Sequence, residues 1–91
     1  MDKTIILPLV KERLGIRHTQ RDTYLNAIID GVVKELEDEK GITLVAGDYR
    51  HMMFIVDFVA YRFEDPKAAM PRNLQFRLHN LMIHNGGDAN V

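Results

Sequence analysis

The sequence predicts a small all-α bundle of three to four helices with a flexible C-terminal tail. Three observations predict it. Apolar residues recur at the 3.6-residue period of a helix face in several separate stretches. Residues that open and close helices (proline, threonine and aspartate before, glycine after) stand at the ends of those stretches. The 91 residues, 46% hydrophobic and 27% charged, suffice for one core and not two. A single helical domain is therefore placed over residues 1–84 and a flexible tail over 85–91.

Residues 1–7 read as frayed or extended. Pro8 supplies a fixed φ and a missing N–H, both tolerated in a first helical turn. Leu9, Val10, Arg13 and Leu14 follow at helical spacing, so a first helix covers about 8–14. Gly15 fits the left-handed position after it, and Ile16 closes back onto its last turn.

Thr19-Gln20-Arg21-Asp22 has the form of a capping box, in which the Thr19 hydroxyl takes a free N–H and Asp22 reaches back to the Thr19 N–H. Behind it Leu25, Ile28, Ile29, Val32 and Leu36 make one stripe, giving a second helix over 20–40 that closes at Gly41. Gly31 in its middle costs about 1 kcal/mol against alanine, and close approach to another backbone is its expected use. Glu35, Glu37, Asp38 and Glu39 crowd the end of this helix, where the macrodipole favours cations. Two readings stand: a solvated face offset by Lys34 and Lys40, or an acidic patch facing a basic neighbour.

Residues 42–46, bounded by Gly41 and Gly47, form a connecting segment, and Asp48 caps the next helix. From 48 to 64 runs the most apolar stretch of the chain. Met52, Ile55, Val56, Val59 and Phe63 share one face, while Met53, Phe54, Phe58 and Tyr61 lie on its flanks. A helix apolar over so much of its circumference is wrapped by its own chain or shared with another subunit. The main stripe is expected against the second helix, packed antiparallel, leaving Phe54, Phe58 and Tyr61 for the terminal helix or a neighbouring copy. Asp57, the one acid inside the stretch, is either a polar edge paired with Arg62 or Arg50, or a charge contacting another subunit. Asp65-Pro66 ends the helix with a brief turn through 67–69. Pro71 starts a last helix over 71–84, with Leu74, Leu78, Leu81 and Met82 on one stripe and Phe76 and Ile83 pointing elsewhere. It lies across the other two or reaches to a neighbour.

Little chemistry is on offer. Without cysteine there is no disulfide, thiolate metal site or thiol nucleophile, which fits a reducing compartment. There is no serine. The four histidines, His18, His51, His79 and His84, lack ligand spacing: His79 and His84 stand about 140° apart around a helix. They read as surface or interface imidazoles, and neither metal nor cofactor is expected. Ile5-Ile6-Leu7 is too short for a signal peptide or anchor, and no apolar run approaches the roughly 20 residues of a membrane span. Twelve basic against thirteen acidic residues, a net charge of −1, lack the broad positive field of a nucleic-acid binder. Lys67, Arg72 and Arg77 do gather about the last helix. The 41–47 connection, however, is too long and apolar for a helix-turn-helix, and Leu74 and Phe76 occupy positions where a recognition helix needs polar reach.

Leu9-Val10-Lys11-Glu12-Arg13-Leu14-Gly15-Ile16, then Asp22, Leu25, Ile28-Ile29 and Gly41-Ile42, resemble the opening of the phage head-to-tail connector family. There a short helix ending in a Leu-x-Ile step leads through an acidic polar turn into a longer helix closed by glycine. Ala60-Tyr61-Arg62 is similar to the family's late core-helix Tyr and Arg. Met70-Pro71 with Leu74-Gln75-Phe76-Arg77-Leu78-His79-Asn80-Leu81 is similar to its Pro-led terminal segment. The resemblance covers about residues 8–84.

It implies a structural virion protein with no chemistry of its own, docking as a ring, typically twelvefold, beneath the portal. There it completes the DNA-filled head before the tail joins. The implied partners are the portal protein, head-tail joining proteins and other copies of the chain, with no membrane and no sequence-specific nucleic acid. The implied location is the host cytoplasm during assembly and then the virion. Arg72, Phe76, Arg77, Ile83 and His84 are the candidate interface residues. A DNA-binding or regulatory helical module is the alternative, and a dimerising helical protein a third reading.

Overall fold

The computed structural model describes residues 3–45, 47–64, 67 and 69–85, with backbone alone at 3, 84 and 85. Four α-helices run in order: α1 Lys3–Leu14, α2 Asp22–Lys34, α3 Tyr49–Glu64 and α4 Arg72–Asn85, with a π-helical turn, Glu35–Glu39, continuing α2. The fold is all-α, as the periodicity requires. The expected turn at 65, 66 and 68, Ala46 and the tail at 86–91 lie outside the described residues.

α1 begins five residues before the expected start at residue 8 and carries Pro8 inside it. The reason is burial one turn upstream. Ile6 and Val10, four residues apart on one face, are both fully buried, and Ile6 alone recovers about 1.5–3 kcal/mol. That is comparable to the ~3 kcal/mol of an interior proline, whose lost hydrogen bond here falls near the fraying end. The helix closes as expected: Gly15 has φ 74°, and the Ile16 N–H reaches back to the Lys11 carbonyl at 2.9 Å.

The capping box does not form. α2 starts at Asp22, Arg21 occupies the cap without a side-chain hydrogen bond, and the Thr19 carbonyl takes the Asp22 N–H at 3.2 Å. The Asp22 carboxylate instead meets Lys11 Nζ at 2.8 Å, an ion pair that ties α1 to α2. The second helix also changes character before its end. At Glu35 it widens to the π turn, whose Lys40 N–H donates to the Glu35 carbonyl at 3.1 Å. Gly41, at φ 68°, then ends it, with the Ile42 N–H on the Leu36 carbonyl at 3.0 Å. Gly31 is exposed and a Cβ there would meet nothing within 4 Å, so among the described residues no backbone outside its own helix approaches it closely.

The central helix is wrapped by its own chain. Asp48 caps it, its Oδ1 accepting the Arg50 N–H at 2.8 Å, and His51, Met52, Phe54, Ile55, Val56, Phe58, Val59 and Ala60 are all buried. Leu25, Ile29, Val32 and Leu36 from the second helix join the same core, as do Ile6 and Val10 from α1 and Leu74 and Leu81 from α4. α2 does not run beside α3 along its whole length, as the expected antiparallel pair would. Tyr24 packs on Phe63 at 6.0 Å between ring centroids, and Glu35 accepts from Arg62 at 2.8 Å. Residues about 16 Å apart along one helix thus grip two adjacent residues of the other, so the helices cross near the end of α3. The 41–48 segment returns the chain to the start of α3, with Ile42 buried on the way.

Candidate functional site

α4 is held by α3 alone among the helices, and the two run antiparallel. The Asp57 carboxylate accepts from Arg77 Nη1 at 2.7 Å, and that guanidinium lies 5.5 Å over the Phe54 ring. Leu74 and Leu81 are buried against α3. Nearer the start of α3 the hairpin opens into an apolar groove of about 550 Å³ lined by Tyr49, Arg50, Met53, Phe54, Arg77, Asn80 and Leu81.

The opposite side of α4 faces outward. Residues 76 and 83, seven apart and so on one helix face, leave Phe76 63% and Ile83 45% exposed. Arg72 and His79 are exposed on the same side. Of the five candidate interface residues, Arg72, Phe76 and Ile83 therefore come together on one outward stripe. Arg77 stands apart, spending its charge on Asp57 and its flat face on Phe54. The side chain of His84 lies outside the described residues.

Asp57 pairs with neither Arg62 nor Arg50. Its second cation is Arg13 of α1, Nε 3.5 Å from Oδ1, so one carboxylate joins α1, α3 and α4. Arg62 goes to Glu35 and covers Phe58 at 4.7 Å, while Arg50 folds back on Asp48 at 3.4 Å. Sequence spacing favours partners within a helix, and these two arginines had nearer claims across the fold or at the cap. The acidic turn is accordingly divided: Glu35 is engaged with Arg62, whereas Glu37, Asp38 and Glu39 are exposed.

His51 is not a surface or interface imidazole but fully buried. Its Nδ1 accepts the Val45 N–H at 2.9 Å, which leaves the proton on Nε2. That nitrogen has no hydrogen-bond partner and stands 3.7 Å from Asp48 Oδ2. The Arg50 N–H, the largest influence, holds the Asp48 carboxyl below its ordinary value of 3.8; burial opposes this, and the Arg50 guanidinium and His51 reinforce it. A buried histidine six residues after the valine whose amide it receives has no periodic signature, so only three-dimensional packing reveals the latch. Among the described residues no three His, Cys, Asp or Glu gather to hold a metal ion, and no helix is long and apolar enough to cross a membrane.

The family described as phage gp6-like head-tail connector protein matches residues 4–85. The chain belongs to that family. The match runs from the first turn of α1 to the last residue of α4, so the connector unit includes the outward stripe as well as the core. No curated protein and no solved structure matches the chain. A phage head-tail connector is a structural component and not a class of enzyme.

Proposed function

We propose that this connector assembles as a ring, twelvefold in the virion, beneath the portal of a tailed phage, completing the DNA-filled head so that the tail can attach. Its partners are the portal protein, head-tail joining proteins and its own copies. It moves from the host cytoplasm into the head-tail interface and uses no cofactor. Arg72, Phe76 and Ile83 form the docking face; Arg77 holds that helix in place.

The observation that carries this reading is the exposure of Phe76 and Ile83 on the side of α4 turned away from Leu74 and Leu81. An aromatic ring and an arginine on a rigid helix are the residue types that dominate interface energies. Phe76→Asp or Ile83→Asp should leave the isolated chain folded by circular dichroism while reducing its incorporation into heads by about tenfold or more. Heads that take up both variants normally would remove the docking face. Particle imaging that placed the wild-type chain away from the portal would remove the connector role. Tight duplex binding with a steep salt slope would favour the DNA-binding module instead.

A further inference from the structure

We propose that copies of this chain meet head to tail through two oppositely charged patches at the two ends of the second helix. The basic patch is Arg17, Arg21 and Lys67, and the acidic patch is Glu37, Asp38 and Glu39 of the π turn. The proposal deepens the connector reading, naming the surfaces through which one ring subunit would hold the next.

α2 and the π turn, thirteen and five residues, form a rod about 27 Å long at 1.5 Å per residue. At its start Arg17 and Arg21 are exposed, and the Arg21 guanidinium lies 5.7 Å over the Phe63 ring near the end of α3. Lys67, also exposed, follows Phe63 by four residues. Tyr24, 55% exposed and packed on the same ring, adds apolar area beside these cations. At the far end Glu37, Asp38 and Glu39 are exposed, and only Asp38 has a cation, Lys34 at 3.6 Å. Among the described residues Arg17, Lys67, Glu37 and Glu39 make no ion pair.

Two physical arguments select a second copy as the occupant. Cations about the start of a helix and anions about its end both oppose the helix macrodipole, and among the described residues no ion pair within the chain answers Arg17, Lys67, Glu37 or Glu39. Facing the other patch on a neighbour, each charge is answered. A two-fold axis through either patch would set like charge on like. An antiparallel two-fold pair would satisfy both patches and stop at the dimer, whereas a head-to-tail contact leaves each copy with one free patch of each sign, so sedimentation beyond the dimer marks the head-to-tail form. Such a contact repeats and closes into a ring when the rotation allows. A net charge of only −1 leaves no general repulsion between copies.

Charge reversal in the full chain tests this, with self-association followed by sedimentation and folding by circular dichroism. Arg17→Glu with Arg21→Glu, or Glu37→Arg with Glu39→Arg, should each weaken association at least about tenfold at low salt. Arg17→Glu with Lys67→Glu should do the same without disturbing the Phe63 stack. The chain carrying the four reversals at 17, 21, 37 and 39 should recover, as should a mixture of the two reversed chains. Folded variants that associate like the wild type, a fourfold variant that stays dissociated, or a wild-type chain that remains monomeric at millimolar concentration would each overturn the contact. Association that ignores these charges in a chain still found at the portal would defeat this pairing and leave the connector reading standing. Association that obeys them in a chain never found in heads would do the reverse.

Discussion

Asp57 and His51 are each a polar group set inside the most apolar helix, and each organises a different junction. Asp57 receives Arg77 at 2.7 Å and Arg13 at 3.5 Å, with side-chain exposures of 35% and 50% for the two cations. The closer, better covered pair should dominate. Arg77→Ala is expected to cost about 1–2 kcal/mol in urea unfolding, and Arg13→Ala less than about 0.5 kcal/mol; equal losses would show that the distances do not rank the two. His51→Leu removes the acceptor of the Val45 N–H and should cost about 1–3 kcal/mol, with amide exchange rising first at Val45. The neighbouring Asp48 titrates below its ordinary value of 3.8 because the Arg50 N–H stabilises its charged form. Its contribution to stability is therefore present above 3.8 and disappears as pH falls through the lowered folded-state value. Asp48→Asn should flatten that acid limb of the stability profile, and an unchanged limb would mean that the cap is not linked to folding.

Within single helices, what could be read ahead of the structure was whatever local chemistry decides. The Leu25 to Leu36 stripe, the cap at Asp48 and the left-handed glycines at 15 and 41 depend on residues within a few positions of one another. Pro8 shows the limit. Its local rule sets it in a first turn, yet burial of Ile6, a tertiary effect, carried α1 through it. Pro8→Ala is expected to raise stability by about 1 kcal/mol by restoring a helical N–H; a loss would show that the proline shapes the start of the bundle. Thr19 and Asp22 show the same limit, since the box they spell was outbid by Lys11 across the turn. The π turn left no mark on the apolar period because only Leu36 within it is buried. The outward side of α4 was legible for a related reason: Phe76 and Ile83 break the stripe of their own helix, and side chains that break a stripe point outward. The Arg77 contact and the buried His51 were not legible, because both rest on residues brought together from separate elements.

At the scale of the molecule, one core draws on all four helices, but α4 reaches it through Leu74 and Leu81 and, among the helices, rests on α3 alone. Its attachment is Leu74, Leu81 and the Asp57 pair over Phe54, with an open groove of about 550 Å³ beside them. Native-state hydrogen exchange should find α4 opening at lower free energy than α1–α3, since local stability follows buried contact. Exchange of all four helices at one free energy would show instead that the bundle opens as a unit.

The division of labour on α4 has a consequence for descent. Leu74 and Leu81 are buried and Arg77 is held by Asp57, whereas Arg72, Phe76 and Ile83 on the other side of the same helix are exposed. Substitutions on the outward side can therefore change that surface while the inward side keeps the helix in place. On the proposed docking role, a phage lineage could exchange one portal for another and retain the same adaptor, its unchanged core serving as a chassis for a replaceable plug.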